Sequence, residues 1–261
     1  MVDWRNETGR PLASAEWLEA HHRAKVIERR HYVEMLADFR PERVVDLGCG
    51  PGWWLELLHE VLPAACELVG VDADYDALAL ARERSAGWRR RVTLEHLDLD
   101  SDREAIPAGD MTLAFNVFSY LKDPAGLMSA VAGKGGALAI RQYDGGALRF
   151  GPIEPRLRSA IEASLRASVS PSDQFRHYDM DHVFGLLETA PFTKRKVDFE
   201  LYSRTAPFPE DFVPYYERML AWTLDLLSED AAKSLRSWLA DGRSASCGRY
   251  FFEVDLTAVL S

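Results

Sequence analysis

Nine residues limit the possible folds more than any others: Val44-Val45-Asp46-Leu47-Gly48-Cys49-Gly50-Pro51-Gly52. An apolar run ends beside an acid and breaks into three closely spaced glycines. A helical pattern over residues 53–62 follows at once, with Pro51 suited to its first turn. Short apolar segments that read as strands recur at residues 44–47, 68–71, 92–97, 111–115 and 137–140. Helical patterns at 53–62, 75–84 and 124–131 lie between them. Such alternation requires right-handed crossovers, hence a mostly parallel sheet covered on both faces. Residues 43–142 are therefore expected to form a doubly wound α/β core.

Around this core the rhythm changes. Residues 14–39 place Trp17, Leu18, Val26, Ile27, Val33 and Leu36 at helical spacing, with Ser14 as cap and Pro41 as stop. After Tyr143 the alternation fails at Gly145-Gly146. Helices are expected over 155–169, 179–188 and 209–241, and strands over 196–202 and 250–260. The expected organisation is one domain over 1–261, with an N-terminal helical segment (1–40) and a ligand-binding core (41–144). A cap insertion (145–191) and C-terminal strands (192–261) carrying a helical insertion (209–241) complete it. The stripe Trp222, Leu226, Leu227 and Trp238 reads as core or dimer surface.

Composition removes several classes. A 261-residue chain can bury a core without staples, and at roughly 150 residues per domain it suits one large domain. Cys49, Cys66 and Cys247 are scattered and form no Cys-x-x-Cys pair, which supports neither a zinc ribbon nor a disulfide framework. The 41 acidic residues against 31 basic ones, a formal charge of −10, oppose binding to a phosphate backbone. The basic run Trp88-Arg89-Arg90-Arg91 reads as a solvated turn. Residues 1–10 lack the apolar stretch of a signal peptide, and no run approaches the roughly 20 apolar residues of a membrane helix. The expectation is a cytoplasmic protein, monomer or homodimer, with no nucleic-acid or membrane partner. Asp98, Asp100 and Asp102 fit the first three positions of a calcium loop. However, Arg103 replaces its glycine and Gly109 its glutamate, so no metal is expected.

The glycine turn discriminates among ligands. A dinucleotide turn needs a third glycine where this chain has Trp53, and no Gly-Lys-Ser/Thr follows for a phosphate loop. Asp46 would repel a pyrophosphate but suits a ligand bearing an ammonium and a sulfonium. In this respect the run from Val44 to Gly52 closely resembles the first motif of class I S-adenosylmethionine-dependent methyltransferases. Further stretches resemble later motifs in order: Val69-Gly70-Val71-Asp72, Asp98-Leu99, Asn116, and Lys134-Gly135-Gly136 leading into the fifth strand.

The resemblance implies a seven-stranded, mostly parallel sheet in the order 3-2-1-4-5-7-6, with the last strand antiparallel. It implies S-adenosylmethionine as cofactor, bound by Asp46, Gly48, Cys49, Gly50 and Gly52, by Asp72 and Ala73 at the ribose, by Asp98 and Leu99 at the adenine, and by Asn116 at the methionine moiety. One carboxylate can accept from both ribose hydroxyls, and the adenine amino group is a donor that an acid can meet. A turn acid is the alternative reading of Asp98.

Ligands of open α/β sheets lie beyond the carboxyl ends of the strands, so the acceptor is expected over strands four and five. Tyr120, Arg141, Tyr143, His177 and Tyr178 are the candidate substrate contacts, with Tyr143 and His177 as candidate catalytic groups. Packing is the alternative for each of the last two. The expected activity is in-line methyl transfer to an O, N or C nucleophile of a small molecule, with secondary metabolism as one setting. RNA or protein methylation and a non-catalytic cofactor-binding scaffold are the alternatives.

Overall fold

The computed structural model describes residues 13–169, 180–241 and 248–261. Two helices, α1 (Ala15–Ala24) and α2 (Val26–Ala37), precede the sheet. Then come β1 (Arg43–Leu47), α3 (Trp53–Val61), β2 (Glu67–Asp72), α4 (Tyr75–Ser85), β3 (Val92–His96), β4 (Met111–Phe115), α5 (Pro124–Lys134) and β5 (Ala137–Tyr143). The remainder comprises β6 (Arg149–Gly151), α6 (Pro155–Val169), α7 (Met180–Thr189), β7 (Arg195–Thr205), α8 (Val213–Leu226), α9 (Glu229–Ala240) and β8 (Tyr250–Leu260).

The first five strands run parallel in the order β3-β2-β1-β4-β5. Strands buried on both faces read as continuous apolar runs, as Val44-Val45 and Leu68-Val69 do. Val45, Leu47, Val69, Ala114 and Ile140 pack with α5 and α7 on one face. Val44, Leu68, Leu113 and Ala139 pack with α2 and α3 on the other. The helix starts follow capping chemistry. Asp74 accepts from the amides of Asp76 and Ala77 at the head of α4, and Asp123 accepts from Gly126 at the head of α5. At the turn into β5 only glycine fits position 136, because its φ is +86° and a Cβ would stand 2.4 Å from the Gly109 carbonyl oxygen.

The sheet has one strand more than expected. β8 is antiparallel to β5 and lies between β5 and β7, as the order 3-2-1-4-5-7-6 requires of the last strand. β7 pairs with the whole of β8, from Thr205 opposite Tyr250 to Arg195 opposite Leu260. On the other edge of β8, β5 covers residues 255–260 and the added strand β6 covers residues 250–252. Thus the stretch 145–191 supplies a strand as well as helices. α6 joins α8 and α9 in a third apolar cluster around Phe150, Phe212 and Phe251, where Trp222, Leu226, Leu227 and Trp238 also pack.

Two long helices expected from the sequence are each divided. The pattern over 14–39 breaks at Lys25, which leaves helical geometry (φ −118°, ψ 17°) where its side chain pairs with Glu253 and Asp255. Ile27, one of the apolar residues at helical spacing, is 72% exposed. The pattern over 209–241 breaks after Leu226, and Ser228 heads a new helix. In the basic run Arg89 and Arg91 are exposed, while the half-buried Arg90 donates to the carbonyls of His59 and Leu62 and ties down the end of α3. Cys49 and Cys66 are free and buried, and Cys247 lies outside the described residues.

Candidate active site

The loops after β1, β2, β3 and β4 gather at one edge of the sheet. Gly48, Gly50 and Gly52 have φ of +70°, +53° and +83°, a backbone path costly for any residue with a Cβ. The amides of Gly48 and Cys49 both donate to the Val71 carbonyl, at 2.7 and 3.0 Å, which locks the turn to the end of β2. A methyl on Gly48 would sit 2.8 Å from Val117 Cγ2. The turn therefore presses against the loop that follows β4. Cys49 turns its thiol into the core, where burial pushes its pKa well up, so only its backbone can meet a ligand.

Two acids lie under this turn. Asp72 accepts from the Gly50 amide at 2.7 Å through Oδ2 and from the Asp74 amide at 2.9 Å through Oδ1. Each carboxylate oxygen has two lone pairs, so both retain capacity for a pair of hydroxyls. Asp46 is 1% exposed, and its Oδ2 has no hydrogen-bond partner among the described residues. Burial, and then the charge of Asp72, push the Asp46 carboxyl well above the ordinary range. A cation delivered by a ligand would satisfy both acids at once.

The other loops frame this centre. Asp98 Oδ1 accepts from the amides of Asp100 and Ser101, so this oxygen acts as a turn acid; Oδ2 lies outside those two bonds. Leu99 is buried in the first apolar cluster. Asn116 has φ +57°; its amide donates to the Arg141 carbonyl at 2.7 Å and its Oδ1 accepts from the Tyr143 amide at 3.0 Å. Its side chain thus joins the ends of β4 and β5. Ala73 accepts through its carbonyl from His96 at 3.0 Å, and Tyr75 stacks on the His96 ring with centroids 3.7 Å apart.

Helix α1 lies across the glycine turn. Leu18 Cδ1 is 3.4 Å from where a Cβ on Gly50 would be, and His22 stacks on Trp53 at 4.8 Å. The Arg84 guanidinium also lies 3.3 Å from the centre of the Trp53 ring. Trp54, next in the chain, points into the core against Phe115.

Where α1 and α2 meet β5 and β8 the structure brings together a buried charged cluster, of which the sequence pointed only to Arg141. Arg141 grips Asp255 with Nε at 2.8 Å and Nη2 at 2.6 Å, and reaches Glu200 at 2.9 Å. Lys25 pairs with Glu253 and Asp255, and the Tyr215 hydroxyl donates to Glu253 at 2.7 Å. Burial would raise the Asp255 carboxyl, yet Lys25 and Arg141 hold it below the usual range. Burial lowers Lys25 to about 8 and Arg29 to about 9. Burial and the nearby Arg29 lower His22 to about 3 and push His21 well down. Both rings are neutral at physiological pH. His21, Lys25 and Arg29 fall four residues apart, on one face of the broken N-terminal helix. That spacing is the one sequence feature that could have revealed them. Tyr143 is half-buried at the end of β5, and Tyr120 is half-buried in a turn after β4. His177 and Tyr178 lie outside the described residues.

With this geometry the comparisons with known proteins agree. Residues 45–134 match the family described as a methyltransferase domain. The malonyl-[acyl-carrier protein] O-methyltransferase of Legionella pneumophila is 33% identical over 185 residues, 69% of this chain and 59% of that one. The trans-aconitate 2-methyltransferase of Methylobacterium nodulans is 36% identical over 137 residues, 50% of this chain and 51% of that one. Among solved structures, a protein of Bacillus halodurans C-125 shares the fold with a TM-score of 0.55 at 14% identity, over 88% of this chain and 97% of that one. The plantazolicin methyltransferase BpumL, in complex with a monoazolic desmethyl analogue and S-adenosylhomocysteine, shares it with a TM-score of 0.50 at 16% identity, over 94% and 87%. The chain belongs to the class I S-adenosylmethionine-dependent methyltransferases. It spans between half and three-fifths of the length of these two curated relatives.

Proposed function

We propose that this chain transfers the methyl group of S-adenosylmethionine to a nucleophilic atom of a small-molecule acceptor. The observation that carries this reading is the buried acid pair Asp46 and Asp72 beneath a glycine turn with three positive φ angles. The residues fit that donor. Asp72 has lone pairs for ribose hydroxyls, and the unpartnered oxygen of Asp46 suits an ammonium. The turn leaves no room for side chains where Gly48 meets Val117. When bound, the donor supplies a methyl group already activated by its sulfonium. The task left to the chain is alignment and exclusion of water, and positioning alone can lower a barrier by roughly 7 to 11 kcal/mol. Helix α1 closes over the turn through Leu18 and His22, and Tyr143 and Tyr120 border the acceptor side.

The relatives are named for the malonyl group of an acyl-carrier protein and for trans-aconitate, which favours an acceptor oxygen on a small acyl or acid group over nucleic acid. Among the described residues no helix is long and apolar enough to cross a membrane. We place the protein in the cytoplasm, acting as a monomer or homodimer. Titration calorimetry with S-adenosylhomocysteine and with NADH, followed by transfer of labelled methyl from S-adenosylmethionine to a metabolite extract, tests the reading. Binding of the first ligand alone, with label in small molecules, is expected. Binding of NADH alone, or label in RNA, would overturn it.

A further inference from the structure

We infer that the acceptor carries a carboxylate, and that Arg29 and His21 form the subsite that receives it; this rests on the methyltransferase reading above. Three cations are buried where α1 and α2 meet the ends of β5 and β8. Two of them are neutralised: Lys25 by Glu253 and Asp255, and Arg141 by Asp255 and Glu200. The third is not. Arg29 is 5% exposed and has no carboxylate partner among the described residues. Its Nη1 meets His22 Nδ1 at 3.2 Å, its guanidinium lies 4.8 Å from the centre of the Trp54 ring, and its Nε has no partner. A charged guanidinium taken out of water with no carboxylate in contact is costly, and a ligand can supply the contact that the fold omits.

His21 supplies the second open position. Its ring stacks on Tyr215 with centroids 5.1 Å apart and planes 10° from parallel, so its orientation is set. Its Nε2 is buried without a partner among the described residues. Burial first, and then the charges of Arg29, Lys25 and Arg141, keep it neutral. Such an imidazole is too weak a base to take a proton at neutral pH, but it can donate one ring N–H to an anion. A planar guanidinium beside a ring donor matches a planar, singly charged oxyanion, which is the description of a carboxylate. A phosphate dianion would place a second charge within reach of Asp255, which acts on Arg29. The same helix bears Leu18 on the glycine turn and His22 on Trp53, so the subsite adjoins the methyl-donor cleft.

The test titrates the protein loaded with S-adenosylhomocysteine with acetate and benzoate, using acetamide and benzamide as neutral counterparts. Heat of binding and melting midpoint are the readouts. The carboxylates are expected to bind and stabilise while the amides do neither. Arg29→Gln should weaken carboxylate binding about tenfold or more, the loss of a charge-assisted pair, while Arg29→Lys retains most of it. His21→Phe, which keeps the stack on Tyr215, should weaken it severalfold. Affinity for S-adenosylhomocysteine should fall far less than carboxylate affinity in all three variants, because neither residue touches Asp46, Asp72 or the glycine turn. Amides that behave like carboxylates, or carboxylate binding unchanged in Arg29→Gln, would overturn the subsite and leave the methyltransferase reading intact. Failure of the wild-type protein to bind S-adenosylhomocysteine would instead remove the reading on which the subsite rests.

Discussion

Asp46→Asn separates the binding role of this acid from its cost to the fold. Burial and the neighbouring Asp72 raise the Asp46 carboxyl well above its ordinary value. Asp72 is raised less, because the Asp74 and Gly50 amides stabilise its charge against burial. An acid whose folded pKa lies above its unfolded one contributes stability at low pH that is lost as pH rises through the folded pKa. The free protein should therefore weaken across that range. A ligand ammonium pairs with the ionised acid, so affinity should rise over the same range by up to about tenfold per pH unit, with release of a proton. In Asp46→Asn the slope should vanish. Above the transition, affinity should fall roughly tenfold to a hundredfold, the worth of a charge-assisted bond of about 1.5 to 3 kcal/mol. The unliganded variant should melt no lower than wild type above that transition. A gain of about 1 kcal/mol would raise the midpoint by roughly 2 to 4 °C in a chain of this size. Calorimetry with S-adenosylhomocysteine over a pH series, in two buffers of different ionisation heat, reads slope and proton release together. Flat wild-type affinity without proton exchange, or a variant that binds like wild type, would refute the reasoning.

Three further outcomes follow from the same geometry. Gly48→Ala combines a φ of +70° with a contact at 2.8 Å to Val117, and should lose about 2 to 4 kcal/mol of stability; adding Val117→Ala should restore only the packing share, which chemical denaturation will show. Lys25→Met leaves Glu253 and Asp255 short of a counter-ion in the interior and should cost about 3 to 5 kcal/mol, a fall in melting midpoint of roughly 10 °C. His22, lowered to about 3, favours the fold most above pH ~6.5, and that stability drains away as pH falls toward 3, by up to about 1.4 kcal/mol per unit. His22→Gln should flatten this acid slope in a pH series of urea melts, and an unchanged slope would contradict it.

The core was legible because its signals are local. Val44 to Leu47 are buried on both faces and read as an apolar run, and the glycine turn needs its positive φ angles whatever surrounds it. Strands one to five followed from pattern alone, whereas Asp72 is singled out through the resemblance to a methyltransferase motif. What escaped depends on long-range pairing. Lys25 and Arg29 look like the wet face of a helix until Glu253, Asp255 and Arg141 arrive from more than a hundred residues away. The same pairing accounts for the break at Lys25, which apolar spacing cannot report. β6 is three residues long and exists only because β8 extends past β5. The break before Ser228 was in principle visible, since Ser-Glu-Asp is a helix-start pattern, but the apolar spacing on both sides outweighed it.

A crystal structure of the protein with S-adenosylhomocysteine tests the central claim most directly. The account predicts the adenosyl group over Gly48 to Gly52, both ribose hydroxyls on Asp72, and the ligand ammonium within hydrogen-bond reach of Asp46 or the Asn116 carbonyl. A ligand seated elsewhere, or a diphosphate-bearing nucleotide in that cleft, would contradict it.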